Sequence, residues 1–188
     1  MMRLMRVCSL CAISLLVAVE CLAADQGLKS GLQPGEKITH IFEPLNVTGE
    51  HAGEPYCLVC ENGLSPVAMI FARDVSEPLM DLLAKIDAAT EKNRAAQMGS
   101  FVVFLSDDLS LKGKLEQAAK ERKLKQIVLA IDAPAGPDGF AVAKDAEVTV
   151  VLYDRHVVKA NHAFRAGELT AAAQEKILAD LPKILTTN

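Results

Sequence analysis

The sequence predicts an α/β protein: a mixed β-sheet flanked by helices on both faces, entered through an extended N-terminal lead-in. Three observations carry this. The short continuous apolar runs VAMIF, FVVFL and IVLAI have the composition of buried parallel strands. Between them lie segments whose apolar residues recur at helical spacing, the strand-helix-strand alternation of crossover connections. After them come VTVVLY and VVKANHAF, separated by a short polar turn, which read as an antiparallel hairpin.

The chain opens MMRLMRVCSLCAISLLVAVECLAADQ: Arg3 and Arg6, an apolar run from Val7 to Val19, then small residues at Ala23 and Ala24. This is the pattern of a secretory signal peptide over residues 1–24, too short in its apolar part for the roughly 20 residues that span a bilayer. An exported protein, periplasmic or extracellular, is therefore expected, with no stable membrane insertion after cleavage. Removing the segment takes Cys8, Cys11 and Cys21 with it, so Cys57 and Cys60 are the only cysteines of the mature chain. Two close cysteines in an exported protein point to a disulfide or a reactive pair, and four-cysteine zinc binding within one chain is excluded.

The mature chain of about 164 residues is long enough to bury one core. Without Arg3, Arg6 and Glu20 it carries 18 basic against 23 acidic residues. The densest basic run, KERKLK at Lys120 to Lys125, reads as the solvated end of a helix, so nucleic acid is not an expected partner.

Residues 25–66 form the lead-in, rich in glycine and proline between Gly31 and Gly53 and suited to extended chain or a small hairpin. Residues 67–188 form the core of the same domain. Val67 to Phe71 is its first strand; Ser76 caps a helix with Pro78 in its first turn and Leu79, Leu82, Leu83 and Ile86 inward, running towards Met98. Phe101 to Leu105 is a second strand. Leu111 to Leu124 is a helix with Leu111, Leu115, Ala118 and Ala119 on one face, and Ile127 to Ile131 is a third strand. A loop from Ala133 to Glu147, with Pro134, Gly136, Pro137 and Gly139, is exposed contact surface in this reading. Val148 to Tyr153 then begins the hairpin, turned by Asp154 and Arg155, and Glu168 to Leu181 is a closing helix with Leu169, Ala172, Ala173, Ile177 and Leu181 inward.

This order of elements resembles the thioredoxin-like superfamily. The lead-in GLQPGEKITHIFEPLNVTGEHAGEPY resembles the entry segment of its peroxiredoxin and thiol-disulfide reductase branch. The resemblance implies a redox-active CxxC just after the first core strand, at a helix N-terminus that stabilises the thiolate, with a cis-proline packed beside it. This sequence departs on both points. The stretch after the first strand, ARDVSEP from Ala72 to Pro78, has no cysteine, and no proline stands near Val148 in AEVTVV. The CxxC lies before the strand instead, in YCLVCENG. Because a five-residue strand spans about 17 Å, the pair reaches the opposite end of the sheet unless the lead-in folds back. Glu54 and Glu61 flank the pair and no lysine or arginine lies within ten residues of it, so its neighbours do not favour a thiolate.

Cys57 and Cys60 are thus the candidate catalytic pair, exchanging with protein thiols or disulfides of the exported compartment without a cofactor, the more exposed cysteine attacking and the other resolving. The competing readings are a small structural disulfide in a non-catalytic thioredoxin-like binding domain, and copper binding. Thiolates suit copper(I), and the pair is similar to that of SCO-type copper chaperones, although those space their cysteines by three residues and place them after the strand. Candidate ligands are then Cys57 and Cys60 with His51, His156 or His162. Asp107 and Asp108 read as a helix start, Asp74 and Ser76 occupy the family's usual catalytic corner, and Asn46-Val47-Thr48 matches a glycosylation sequon.

Overall fold

The structure, a computed structural model, describes residues 27–185, so the signal peptide expected over residues 1–24 lies outside the described residues. The strands are β1 (Leu45–Asn46), β2 (Val67–Ala72), β3 (Gly99–Leu105), β4 (Val128–Asp132), β5 (Val148–Asp154) and β6 (Val157–Phe164). The helices are α1 (Leu58–Asn62), α2 (Glu77–Lys92), α3 (Leu111–Arg122), α4 (Ala171–Asp180) and α5 (Pro182–Leu185). All six strands form one sheet in the order β1-β4-β3-β2-β5-β6. Strands β4, β3 and β2 run parallel; β1, and β5 beside β2, run antiparallel to their neighbours.

The central strands are buried on both sides, and alternation sends their side chains to two separate cores. Ala68, Ile70 and Ala72 of β2 join Val102 and Phe104 of β3 and Val150 and Leu152 of β5 on one face. Val67, Met69 and Phe71 join Phe101, Val103, Val151 and Tyr153 on the other. Helices α2, α3, α4 and α5 all pack on the first face. Helices lie on both faces as expected, but among the described residues the second face carries only the short α1, with Ile38 and Phe42 of the lead-in and Phe140 of the loop before β5 completing its cover.

Helix α2 follows its sequence pattern: Ser76 is the N-cap, Pro78 sits in the first turn, and Leu79, Leu82, Leu83 and Ile86 are fully buried. It stops at Lys92, six residues short of Met98, where a single 3-10 turn (Arg94–Ala96) leads into β3. Asp87 on α2 accepts the backbone N–H groups of Lys125, Gln126 and Ile127 at 2.9, 2.7 and 2.9 Å, fixing the entry to β4. Arg122 on α3 pairs with Glu77 and Asp81 of α2.

Helix α4 corrects the expected inward set. Ala172 is exposed, and Gln174 is buried in its place, donating to the Pro78 carbonyl and accepting from Lys85. The helix begins only at Ala171, after an N-cap by Thr170, and this start sets its phase.

Candidate functional site

The corner at the C-terminal end of β2, where the resemblance places the redox site, is filled by Arg73. Its guanidinium donates to the carbonyls of Ala146, Pro134 and Ala143 at 3.0, 2.8 and 3.2 Å, and its own N–H donates to the Glu147 carbonyl at 3.0 Å. Among the described residues every peptide bond is trans, so the missing proline is not replaced by another cis bond beside β5. The loop expected to be open contact surface is tied down by the same arginine. Phe140 buries itself from that loop in edge contacts with Phe42 and Phe71, at centroid distances of 4.9 and 5.7 Å.

The CxxC segment is placed by the lead-in, which does fold back. Leu45 of β1 pairs with Ile131, Ile131 with Phe104, and Phe104 with Ala72, one row across four strands. Pro55 bridges to Leu45 and so extends that row, and the Tyr56 N–H donates to the Pro44 carbonyl at 3.1 Å. The chain thus lies at the edge of the sheet, beyond β1, at Pro55, and by Cys57 it has turned onto the second face, where Cys57, Leu58 and Val59 are buried in one core with Val67, Met69 and Phe71 of β2. From there α1 runs back across the second face towards the start of β2. Asn62, at its end, lies so close to Gly99 that its carboxamide occupies the space of a Cβ there.

Cys57 is the N-cap of α1 and Cys60 stands one turn later, a spacing that brings the two side chains onto one face. They are joined as a disulfide, with Cα atoms 5.3 Å apart. The Cys60 N–H donates to Cys57 Sγ at 3.1 Å, and the Glu61 N–H opens the helix on the Cys57 carbonyl at 3.0 Å. Cys57 is 8 % exposed, buried with Leu58 and Val59 in the second core, whereas Cys60 faces solvent. Glu54 and Glu61 are both exposed. His51 stacks on Tyr56, the residue before the pair, with ring centroids 3.4 Å apart and planes at 17°.

The other histidines are dispersed. His156 is at the tip of the β5–β6 hairpin, and its Nε2 is buried without a hydrogen-bond partner, as is the hydroxyl of Tyr153 nearby, whose ring centroid lies 6.3 Å from the imidazole. Burial without a partner pushes the Tyr153 phenol well above its ordinary range. His162 sits in β6 opposite Val150, with Nε2 3.1 Å from Asp180 Oδ2. Among the described residues no three His, Cys, Asp or Glu side chains gather as a metal-holding group.

The remaining sequence candidates resolve individually. Asp108 shapes the entry to α3: its carboxylate accepts from the Ser110 hydroxyl and N–H and from Lys114, which hold its pKa down at about 2. Ser76 caps α2 by position, without a side-chain hydrogen bond, and Asp74 accepts from the Val75 N–H. Asn46 is 1 % exposed within β1, so the sequon is closed to modification in the folded chain. The features that sequence reading missed are Arg73, the buried Tyr153 and His156 atoms and the buried N-cap geometry of Cys57. Each depends on partners 60 or more residues away or on a five-residue helix too short to show periodicity.

No family model and no curated protein matches the chain. Solved structures do match in fold. A peroxidoxin, BcpB, from Mycobacterium tuberculosis aligns with a TM-score of 0.58 at 17 % identity, covering 81 % of this chain and 98 % of that one. A secreted disulfide oxidoreductase of the same organism, homologous to E. coli DsbE, aligns with a TM-score of 0.52 at 12 % identity over 76 % and 94 % of the two chains. A thiol-disulfide oxidoreductase from Bacteroides fragilis aligns with a TM-score of 0.52 at 14 % identity over 76 % and 99 %. The chain has the thioredoxin-like fold, with a disulfide-bonded CxxC placed before the first core strand instead of after it. No helix of the described residues is long and apolar enough to cross a membrane.

Proposed function

We propose that the protein is an exported thiol-disulfide exchange protein working through Cys57 and Cys60. The observation that carries this is the asymmetry of the disulfide: one sulfur belongs to an exposed residue, the other to a buried N-cap whose Sγ accepts an amide N–H. A partner thiolate attacks Cys60 Sγ, forming a mixed disulfide as the Cys57–Cys60 bond breaks. Cys57 leaves as a thiolate, and the 3.1 Å bond from the Cys60 N–H stabilises that charge. A second partner thiolate then attacks the partner sulfur of the mixed disulfide and releases Cys60. The partner gains a disulfide, losing two electrons and two protons to the pair. The reverse sequence reduces a partner disulfide, with Cys60 attacking and Cys57 resolving. Export is supported by the N-terminal sequence and by the two-cysteine composition of the mature chain.

The test is the reduction potential of the pair, obtained by equilibration with glutathione and thiol trapping. A potential between about −270 and −120 mV, the range of known oxidoreductases, is expected. A value far below that range makes the pair a structural bridge in a binding domain. A pair purified reduced with stoichiometric copper moves the assignment to metal binding.

A further inference from the structure

A groove of about 640 Å³ opens where the chain leaves α1, between the start of β2, the 3-10 turn before β3, the β5–β6 hairpin and α5. Gly63 ends α1 with its N–H on the Cys60 carbonyl at 3.2 Å, and the next residue, Leu64, is the first to line the groove. One hydrogen bond and one peptide unit therefore link the exposed cysteine to its rim. Leu64 is 64 % exposed, an apolar side chain held out at the lip, and Ala95 and Leu185 continue the apolar lining.

The hairpin supplies charge to the same groove. Arg155 and Lys159 line it, and neither makes an ion pair among the described residues; Asp154 offsets one of them, leaving the groove net positive on a chain of net charge −4. The turn that presents Arg155 is conformationally costly. Arg155 and His156 have φ of 50° and 60°, the type I′ geometry that Asn-Gly or Gly-Gly satisfies without strain. Placing an arginine there gains nothing for the turn, and it puts a cationic side chain on the lining of the groove.

We infer that this groove docks the polypeptide with which Cys60 exchanges, as an extended segment with an acidic side chain near its cysteine. Its carboxylate lies on Arg155 and Lys159, and a neighbouring apolar side chain lies against Leu64 and Leu185. The inference rests on the redox reading of Cys57 and Cys60 but is tested without any exchange. Two fluorescein-labelled peptides are compared by anisotropy against the full chain at low salt. Both carry leucine and a serine in place of the cysteine; one has two glutamates, the other two lysines in their stead. The glutamate peptide binds about tenfold more tightly, and raising the salt removes the difference. In the Arg155→Gly, Lys159→Ala double variant the gap closes, while thermal stability holds or rises because glycine suits the left-handed turn position. Equal binding of both peptides, binding of neither, or a gap that survives in the double variant overturns the inference. The glutathione potential, unaffected by any of these, separates such a failure from failure of the redox reading itself.

Discussion

Arg73 Nε donates to the carbonyl of Ala146 at 3.0 Å, joining the end of β2 to the last residues before β5 across the corner where a thioredoxin-like fold usually carries its cysteines. Two further carbonyls, of Pro134 and Ala143, complete the guanidinium's partners. A planar five-donor fork is what such a set of divergent carbonyls requires. The corner is thus occupied by structure.

Replacing Arg73 should therefore act on stability and leave the reactivity of the disulfide alone. Each hydrogen bond from a charged donor contributes about 1.5–3 kcal/mol, but the guanidinium is half-buried, so Arg73→Met is expected to cost about 2–4 kcal/mol in urea denaturation. The loop 133–147 should become cleavable by protease before the rest of the chain. Arg73→Lys should recover little, because one ammonium cannot serve three separated carbonyls. A lysine variant as stable as wild type would refute the fork argument.

Gly99 and Asn62 make a second, independent prediction. A Cβ at Gly99 meets the carboxamide of Asn62, which is itself fixed by donating to the Leu58 carbonyl at 2.7 Å. Gly99→Ala should cost about 1–3 kcal/mol by overpacking the end of α1. Asn62→Ala alone should cost about 1 kcal/mol through the lost bond. The double variant should be markedly more stable than the sum of the two losses implies, since removing the carboxamide frees the space. Strict additivity in thermal melts would show that the contact is relieved some other way.

Much of this architecture was legible from the sequence because it is local. Val67 to Ala72 and Phe101 to Leu105 are apolar throughout, Val150 to Leu152 is the apolar centre of β5, and Leu79 to Ile86 repeats at 3.6; these patterns survive in any context. Boundaries drifted where tertiary partners decide them: α2 ends at Lys92, where the chain turns into a 3-10 segment, and α4 starts at Ala171, after its N-cap Thr170. The position of the cysteine pair was not legible. Whether the lead-in folds back depends on the bridge between Leu45 and Pro55 and on the two-residue strand β1, and neither has a periodic signature. The spacing of Cys57 and Cys60 announced a pair; which of the two faces solvent is set by Leu58 and Val59 being drawn into the second core.

His162 and Asp180 should shape the acid limb of stability. Burial pushes the His162 pKa below its usual value despite the attraction of Asp180. For Asp180 burial acts upward, but Lys183 and His162 outweigh it and its pKa is lowered. The folded state thus resists protonation at both groups, and the unfolded chain takes up more protons as the pH falls. The histidine contribution is complete above about pH 6.5 and is lost as the pH falls from there towards its folded value; the aspartate contribution is lost further down, through and below its ordinary range near 4. Urea midpoints should decline from pH 7 to pH 5, and His162→Gln should flatten that decline. An unchanged slope in the variant would place the acid sensitivity in other groups.

The exposure difference within the disulfide predicts unequal chemistry for the two single thiols. In Cys57→Ala the remaining Cys60 is on the surface, beside Glu61 and without a cationic neighbour in sequence, so it should react with a bulky maleimide at the rate of an ordinary exposed thiol. In Cys60→Ala the remaining Cys57 keeps the N-cap position but is buried against Leu58 and Val59, so the same reagent should react at least about tenfold more slowly, access now dominating over thiolate fraction. A small reagent such as iodoacetamide should narrow the difference, since it enters where the maleimide cannot. The same ordering should appear with partner disulfides: Cys57→Ala accumulates mixed disulfides that cannot be resolved, and Cys60→Ala forms few. Faster maleimide labelling of Cys57 than of Cys60 would reverse the assignment of attacking and resolving sulfur, and would return the pair to the order in which the N-terminal cysteine leads.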